Sequence, residues 1–281
     1  MGIIEAIVLG IVQGLTEFLP ISSSAHIRII SDLLGWGDAG ASFTAVIQIG
    51  TEAAVIVYFA KDIWRIISRW FRAIPWFSWK NPVEQSDPDV RLGWTVIIGT
   101  LPIGILGLLF DDVIEKNLRN IYIVAFVLGI FAVFLALADS YSVRMKKLEE
   151  ITLKDGFLYG LGQAMALIPG VSRSGGTITV GLLLGYTREA AARMSFLMAI
   201  PAVLMSGLYE FVKYVGTGNL PLIPTFVGVI VSFVVGYFVI VWFLKLVSSK
   251  TYMGFVYYRI IVAIIVVVLA AAGLISVTAS A

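Results

Sequence analysis

Four stretches of the chain, Leu92–Phe110, Ile121–Ala138, Leu220–Leu244 and Ile260–Ala281, are apolar along most of their length and carry no charge. Each is close to the roughly 20 apolar residues that cross a bilayer core as one helix. Including two further apolar segments, the pattern predicts full spans at about 42–60, 92–110, 120–138, 194–214, 223–244 and 259–279. Shorter apolar stretches precede each set of three. They are Gly2–Leu19 and Ala25–Trp36 in the first half, and Gly156–Ile168 and Gly175–Tyr186 in the second. A break rich in Pro and Ser interrupts each pair. At about 1.5 Å per residue, the stretch after either break reaches only about 18 Å, short of the roughly 30 Å core. Two half-length helices around a polar break predict a re-entrant hairpin, with the break buried in protein or facing a wet cavity.

The same pattern occurs twice because the chain repeats itself. GIVQGLTEFLPISSSAH (Gly10–His26) aligns without a gap on GLGQAMALIPGVSRSGG (Gly160–Gly176), an offset of 150 residues. Gly10, Gln13, Ser22 and Ser24 fall on Gly160, Gln163, Ser172 and Ser174, and Leu33–Gly35 fall on Leu183–Gly185. A hairpin plus three crossings is an odd number of passes, so the second copy is expected to be inverted relative to the first. The expected architecture is an all-α polytopic membrane protein with one membrane domain over 1–281. It divides into a first repeat at 1–138 (hairpin about 2–36), a cytoplasmic connection at 139–155 and a second repeat at 156–281 (hairpin about 156–186).

Composition agrees. The chain is 59% hydrophobic and only 14% charged, against about 25% charged in a soluble domain. Its mean hydropathy is +0.96. Under the predicted topology, fifteen of the twenty basic residues fall in the connections 61–91, 139–155, 187–193 and 245–259, Lys80 and Arg259 included. The opposite connections, 111–119 and 215–222, offer Lys116 and Arg119 beside Asp111, Asp112 and Glu115. The positive-inside rule then makes the first side cytoplasmic, leaving both termini and the opening of the first hairpin outside. The N-terminus lacks the basic start of a signal peptide, so the first segment is expected to be retained. A net charge of +2 without a basic, aromatic-interleaved cluster argues against a nucleic-acid partner. With no cysteine and a single histidine, thiolate chemistry and two-histidine phosphatase chemistry are excluded.

Polar residues inside an apolar hairpin are expensive and mark a site by default. Gln13 and Glu17 stand four apart, on one face of the first half-helix. Ser22, Ser23, Ser24 and His26 follow at the start of the second half-helix, where serines also serve as caps. The second break, PGVSRSGGT (Pro169–Thr177), sets Arg173 among Ser172, Ser174, Gly175 and Thr177 ahead of a helix. Such a loop gathers backbone N–H groups, hydroxyls and a guanidinium toward one point, an arrangement suited to phosphate oxygens. If the hairpins meet, Ser23 or His26 is the candidate nucleophile, Glu17 orients His26 or takes its proton, and Arg173 holds phosphoryl charge. Glu17 with the Gln13 amide oxygen is a candidate hold for a hard divalent cation. Glu52 is expected to be paired or partly exposed, Arg28 and Asp32 to pair with each other, and Glu210 and Lys213 to snorkel near a span end.

At these residues the sequence resembles the undecaprenyl-diphosphate phosphatase (bacitracin-resistance) family. Gln13–His26 matches its (E/Q)xxxE segment running into a Pro- and Ser-containing stretch with His, and Pro169–Thr177 matches its PGxSRSxxT loop. The likeness continues through FTAVIQIGTEAAV (Phe43–Val55), MSFLMAIP (Met194–Pro201) and YYRIIVA (Tyr257–Ala263). It implies hydrolysis of a polyprenyl (undecaprenyl) diphosphate to the monophosphate carrier lipid of cell-wall synthesis. It also implies dependence on Mg²⁺ or Ca²⁺, and a plasma-membrane homodimer with an outward-facing site. Carried over by residue, Glu17, Ser23, His26 and Arg173 are catalytic, with Ser24 and Ser172 as supporting hydroxyls. Position 13 is Gln rather than Glu, which the motif permits but which weakens a two-carboxylate metal site. A transporter or flippase of a polyprenyl phosphate or another anion, built on the same inverted repeats, is the alternative.

Overall fold

The computed structural model describes residues 1–37, 39–75, 81–118, 120–216 and 221–278, with no side-chain description at 41, 111–117 and 214–216. Lys80 and Arg119 of the charge tally, the side chains of Asp111, Asp112, Glu115 and Lys116, and the end of the last predicted span fall outside that description. The described residues form eleven α-helices: α1 (Ile3–Thr16), α2 (Ser23–Leu33), α3 (Ala41–Tyr58), α4 (Ala60–Arg72), α5 (Pro88–Asn117), α6 (Ile121–Tyr141), α7 (Leu153–Ala164), α8 (Arg173–Leu183), α9 (Arg188–Gly216), α10 (Leu222–Val247) and α11 (Met253–Ala271). α5, α6, α9, α10 and α11 are each long and apolar enough to span a membrane, and α3 with α4 adds a sixth candidate bent by 78°. The chain is an all-helical polytopic membrane protein.

Local chemistry sets several boundaries. Thr152 caps α7 in a reciprocal box, its hydroxyl accepting from Asp155 N–H at 3.1 Å while the Asp155 carboxylate accepts from Thr152 N–H at 3.2 Å. Asn120 caps α6 by accepting from Tyr122 N–H at 2.9 Å. α2 and α8 start one residue after serines held in the left-handed region, Ser22 at φ 72° and Ser172 at φ 71°. Both helices are 11 residues long, roughly 16 Å, and both end before a glycine with positive φ, Gly35 and Gly185. Trp36 N–H closes on the Ser31 carbonyl as Tyr186 N–H closes on Gly181. The offset of 150 seen in the sequence therefore recurs in the backbone from each serine to the glycine that follows its helix.

Packing follows the same rule. α1 lies on α10, and α7 lies on α5. At the equivalent positions Gly10 and Gly160 the helices approach so closely that a Cβ would meet the Gly228 or Gly99 carbonyl oxygen. α3 packs against α9, and α6 against α11. At one end of the bundle Ser42 donates to Glu210, Ile121 N–H to the Val277 carbonyl, and Ser276 to Asp32. At the other end residues from 62–66, 88–92, 143–149, 187–197 and 247–248 line a cavity of about 850 Å³. The four basic connections thus share one face, as the topology required.

The 61–91 connection contains a helix, α4, because Phe59 ends α3 and the chain turns onto a new amphipathic segment. One expectation is corrected. Arg259 is not in a connection: α11 begins six residues earlier than the expected span, and Arg259 is buried within it. Four backbone carbonyls compensate that buried charge, as described next.

Candidate active site

The two breaks meet. Ser174 Oγ donates to the Leu19 carbonyl at 2.9 Å, tying the second break to the first. Arg259 donates to Pro20 and Val171 through Nη1, to Gly170 through Nη2 and to Leu128 through Nε, at 2.9–3.1 Å. One buried guanidinium therefore satisfies carbonyls of both breaks, which lie outside any helix, and reaches a carbonyl in the middle of α6. Gly175 leaves the room for it, since a Cβ there would lie 2.8 Å from Arg259 Nη1.

Glu17 stands at the centre of this junction. It follows α1 directly and is buried, with Gln13 one turn before it. Its Oε2 accepts from Gln13 Nε2 at 2.8 Å and from Ser23 Oγ at 2.6 Å, and its Oε1 accepts from Arg173 Nη2 at 2.6 Å. These are short, charge-assisted bonds. Arg173 is the first residue of α8, so it enters the cluster together with the positive end of that helix. Its other terminal nitrogen, Nη1, is buried without a hydrogen-bond partner.

The remaining expected residues fall into two groups. His26 lies one turn along α2 and its Nδ1 is 2.7 Å from the Ser22 carbonyl, so this nitrogen carries the proton. Its Nε2 is 2.8 Å from the Tyr258 hydroxyl, and the two rings stack at 5.6 Å. Glu17 therefore pairs with Ser23 rather than orienting His26. Ser22 and Ser24 contact each other at 3.3 Å, with Ser24 exposed. In the second break Ser172 caps α8 by accepting from Gly175 N–H, and it contacts Ser174 at 3.1 Å. Thr177 is fully buried and bonds Arg173 and Ser174 carbonyls and Ser195. Ser174, Gly175 and Thr177 are thus engaged in holding the break itself. Arg28 and Asp32 approach at 4.0 Å, and Glu210 and Lys213 at 3.9 Å.

Three more residues reach the junction. Glu52 of α3, expected to be paired or partly exposed, is fully buried and pairs at long range with Arg173, Oε2 to Nη2 3.8 Å. Neither of its carboxylate oxygens has a hydrogen-bond partner, and the Gln13 amide oxygen has none either. Tyr258 carries no expectation of its own, and Arg259 is assigned above to a basic connection. Their available signal was adjacency inside YYRIIVA, a polar triplet at the mouth of an apolar span. Beside the junction an apolar groove of about 1060 Å³ runs between α1, α10 and α11, lined by Leu15, Leu19, Phe238, Trp242, Phe255 and Tyr258 among others.

Comparison with known proteins places the chain in a family. A family profile described as "Bacitracin resistance protein BacA" matches residues 6–265. A Renibacterium salmoninarum protein named "Undecaprenyl-diphosphatase" is 56% identical, covering 99% of either chain. A protein of the same name from Kineococcus radiotolerans is 53% identical over 97% of this chain and 95% of its own. "Undecaprenyl-diphosphatase 2" of Streptomyces avermitilis is 49% identical over 97% and 96%. With two polar breaks joined around Glu17, Ser23 and Arg173, and with likeness along nearly its whole length, the chain belongs to the bacitracin resistance protein BacA family.

Proposed function

We propose that this protein is an intramembrane phosphoric anhydride hydrolase that cleaves a polyprenyl (undecaprenyl) diphosphate into the lipid monophosphate and inorganic phosphate. The observation that carries the reading is the contact of Ser23, Glu17 and Arg173 across the two breaks. A hydroxyl bonded to a buried carboxylate is an activated nucleophile. Ser23 Oγ attacks the terminal phosphorus as its proton passes to Glu17. The bridging P–O bond breaks, and the electron pair leaves with the lipid monophosphate. Water then cleaves the phosphoserine, phosphate departs with the water's oxygen, and Ser23 regains the proton held on Glu17. Arg173 Nη1, buried without a partner, binds a phosphate oxygen as charge develops. His26 and Tyr258 form the proton-bearing pair beside the leaving oxygen. The adjoining groove, almost wholly apolar, takes the polyprenyl tail.

A divalent cation, Mg²⁺ or Ca²⁺, fits the acceptor oxygens that lack donors here, Gln13 Oε1 beside Glu17. When bound it supplies positive charge to the diphosphate oxygens. Among the described residues no cluster of three or more His, Asp or Glu is placed to hold a metal, so substrate oxygens and water complete such a shell.

The repeats are read as inverted. α1 and α10 run in register in the same direction, Gly10 beside Val231 and Gly14 beside Val235, as do α7 and α5, with Gly156 beside Thr95 and Gly160 beside Gly99. α3 and α9 instead run antiparallel, Ser42 meeting Glu210 and Asp62 meeting Arg193. Helices exchanged by a two-fold axis and lying antiparallel require that axis to be perpendicular to them, hence in the membrane plane. With the basic face cytoplasmic, both termini and the active site face outward from the plasma membrane. Two copies form the working homodimer.

Phosphate release from polyprenyl diphosphate by the purified protein in detergent, where no gradient exists, tests the reading. Turnover is expected, together with a phosphoserine at position 23 in a trapped reaction. Binding of the lipid without phosphate release would overturn the reading in favour of a transporter or flippase.

A further inference from the structure

Glu17 has three hydrogen-bond donors around it; Glu52 has none. An ionised carboxylate buried without donors costs several kcal/mol. Arg173 does not meet that need. Its Nη2 is committed to Glu17 at 2.6 Å and stands off Glu52 at 3.8 Å, beyond hydrogen-bond range. Nor does the helix offer help, because the carboxylate projects from the middle of α3. Next to Glu52, the Thr51 hydroxyl lies 3.4 Å from Gln13 Nε2, so the Gln13 amide reaches the same wall of the junction. The amide nitrogen is used twice there and the amide oxygen not at all.

The junction thus holds three buried acceptor oxygens with no donor: both of Glu52 and the one of Gln13. The junction also sets two carboxylates, Glu17 and Glu52, against two guanidiniums, Arg173 and Arg259, so it has no surplus of positive charge for a diphosphate. A hard cation meets both conditions, since it takes oxygen ligands and adds positive charge. Mg²⁺ in particular is held by one or two carboxylates together with substrate phosphates.

We propose that Glu52 is the carboxylate ligand of a divalent-cation site in this protein, with the Gln13 amide oxygen as its neighbour, leaving Glu17 free to serve Ser23. The carboxylate absent at position 13 of the first break is supplied from α3 instead. The site rests on the diphosphatase reading only for what the cation does there. Its existence is a property of the resting protein.

Mn²⁺ binding by the full-length protein in detergent, followed by the electron paramagnetic resonance of the bound ion without lipid, tests it. The wild type is expected to bind Mn²⁺ competitively with Mg²⁺. Glu52→Gln, nearly isosteric, should weaken binding at least about tenfold while the protein still elutes as a folded species. Moving the carboxylate, Gln13→Glu in the Glu52→Gln background, should restore most of the affinity, and Gln13→Glu alone should tighten it. An unchanged Mn²⁺ affinity in Glu52→Gln, or a wild type that binds no Mn²⁺ while releasing phosphate, would overturn the inference. A wild type that binds Mn²⁺ through Glu52 yet releases no phosphate would count against the hydrolase reading alone and support the cation site.

Discussion

The two breaks share a backbone and differ in what they carry. Each has a serine in the left-handed region, an 11-residue helix after it and a positive-φ glycine at the end. At the offset of 150, Ser23 corresponds to Arg173, Glu17 to Leu167, and His26 to Gly176. One break therefore presents a hydroxyl, a carboxylate and an imidazole, and the other a guanidinium and bare peptide. The backbone turn solves the problem of starting a helix inside apolar surroundings, and both breaks solve it with a positive-φ serine. Chemistry is then free to diverge, because a site between two copies needs complementary rather than equal halves. Gln13 and Gln163 mark the boundary: both are fully buried, but only Gln13 touches a reacting group.

The sharpest way to break this comparison is to swap the contrast at equivalent positions. Glu17→Gln and Arg173→Ala should each lower kcat/KM at least about a thousandfold, a loss of roughly 4 kcal/mol. Leu167→Ala, at the position equivalent to Glu17, should change kcat/KM only severalfold, about 1 kcal/mol. Comparable losses at 17 and 167 in a phosphate-release assay would dissolve the division of labour. Next in size, Arg259→Leu orphans three carbonyls of the two breaks, those of Pro20, Gly170 and Val171. Thermal unfolding in detergent should show a loss of about 3–4 kcal/mol. The paired glutamines give a finer test: Gln13→Leu should cost about a hundredfold in kcat, and Gln163→Leu about twofold or less. Removing one hydroxyl, Tyr258→Phe, should slow turnover by about a factor of 5, the worth of one hydrogen bond of about 1 kcal/mol.

The smallest effect belongs to a corner that only the first half possesses. Arg69 of α4 hydrogen-bonds Asp87, just before α5, and holds its carboxyl below the usual range. That contribution is present above the unfolded carboxylate value and is lost as pH falls through the lowered folded one. Because Arg69 is well exposed, Asp87→Asn should cost less than about 1 kcal/mol, read as a slight loss of thermal stability at pH 7 that vanishes in acid.

Most of the architecture was legible because apolar length and the internal repeat are one-dimensional signals. Glu17, Ser23 and Arg173 were legible too, since a charge or serine run inside an apolar hairpin has few inexpensive explanations. Glu52 was not, for a helical carboxylate looks the same whether it faces lipid headgroups, a partner or a cavity. The Glu17–Ser23 pairing was hidden for a related reason. Sequence spacing brought His26 to the break, but the turn at Ser22 aims Ser23 at Glu17 and His26 toward α11. Arg259 was misplaced because hydropathy assigns a cation near a span's edge to water. Its true partners, carbonyls from three distant segments, leave no trace in local composition.

That guanidinium also bears on how the molecule can work. Arg259 belongs to the second half together with Gly170 and Val171, so rocking one half against the other, the motion by which paired hairpins would pass cargo between the two sides of a membrane, would pull it off Pro20 and Leu128. Parting the halves therefore means unpairing a buried guanidinium from buried carbonyls, a cost that any exchange between the two sides would have to meet.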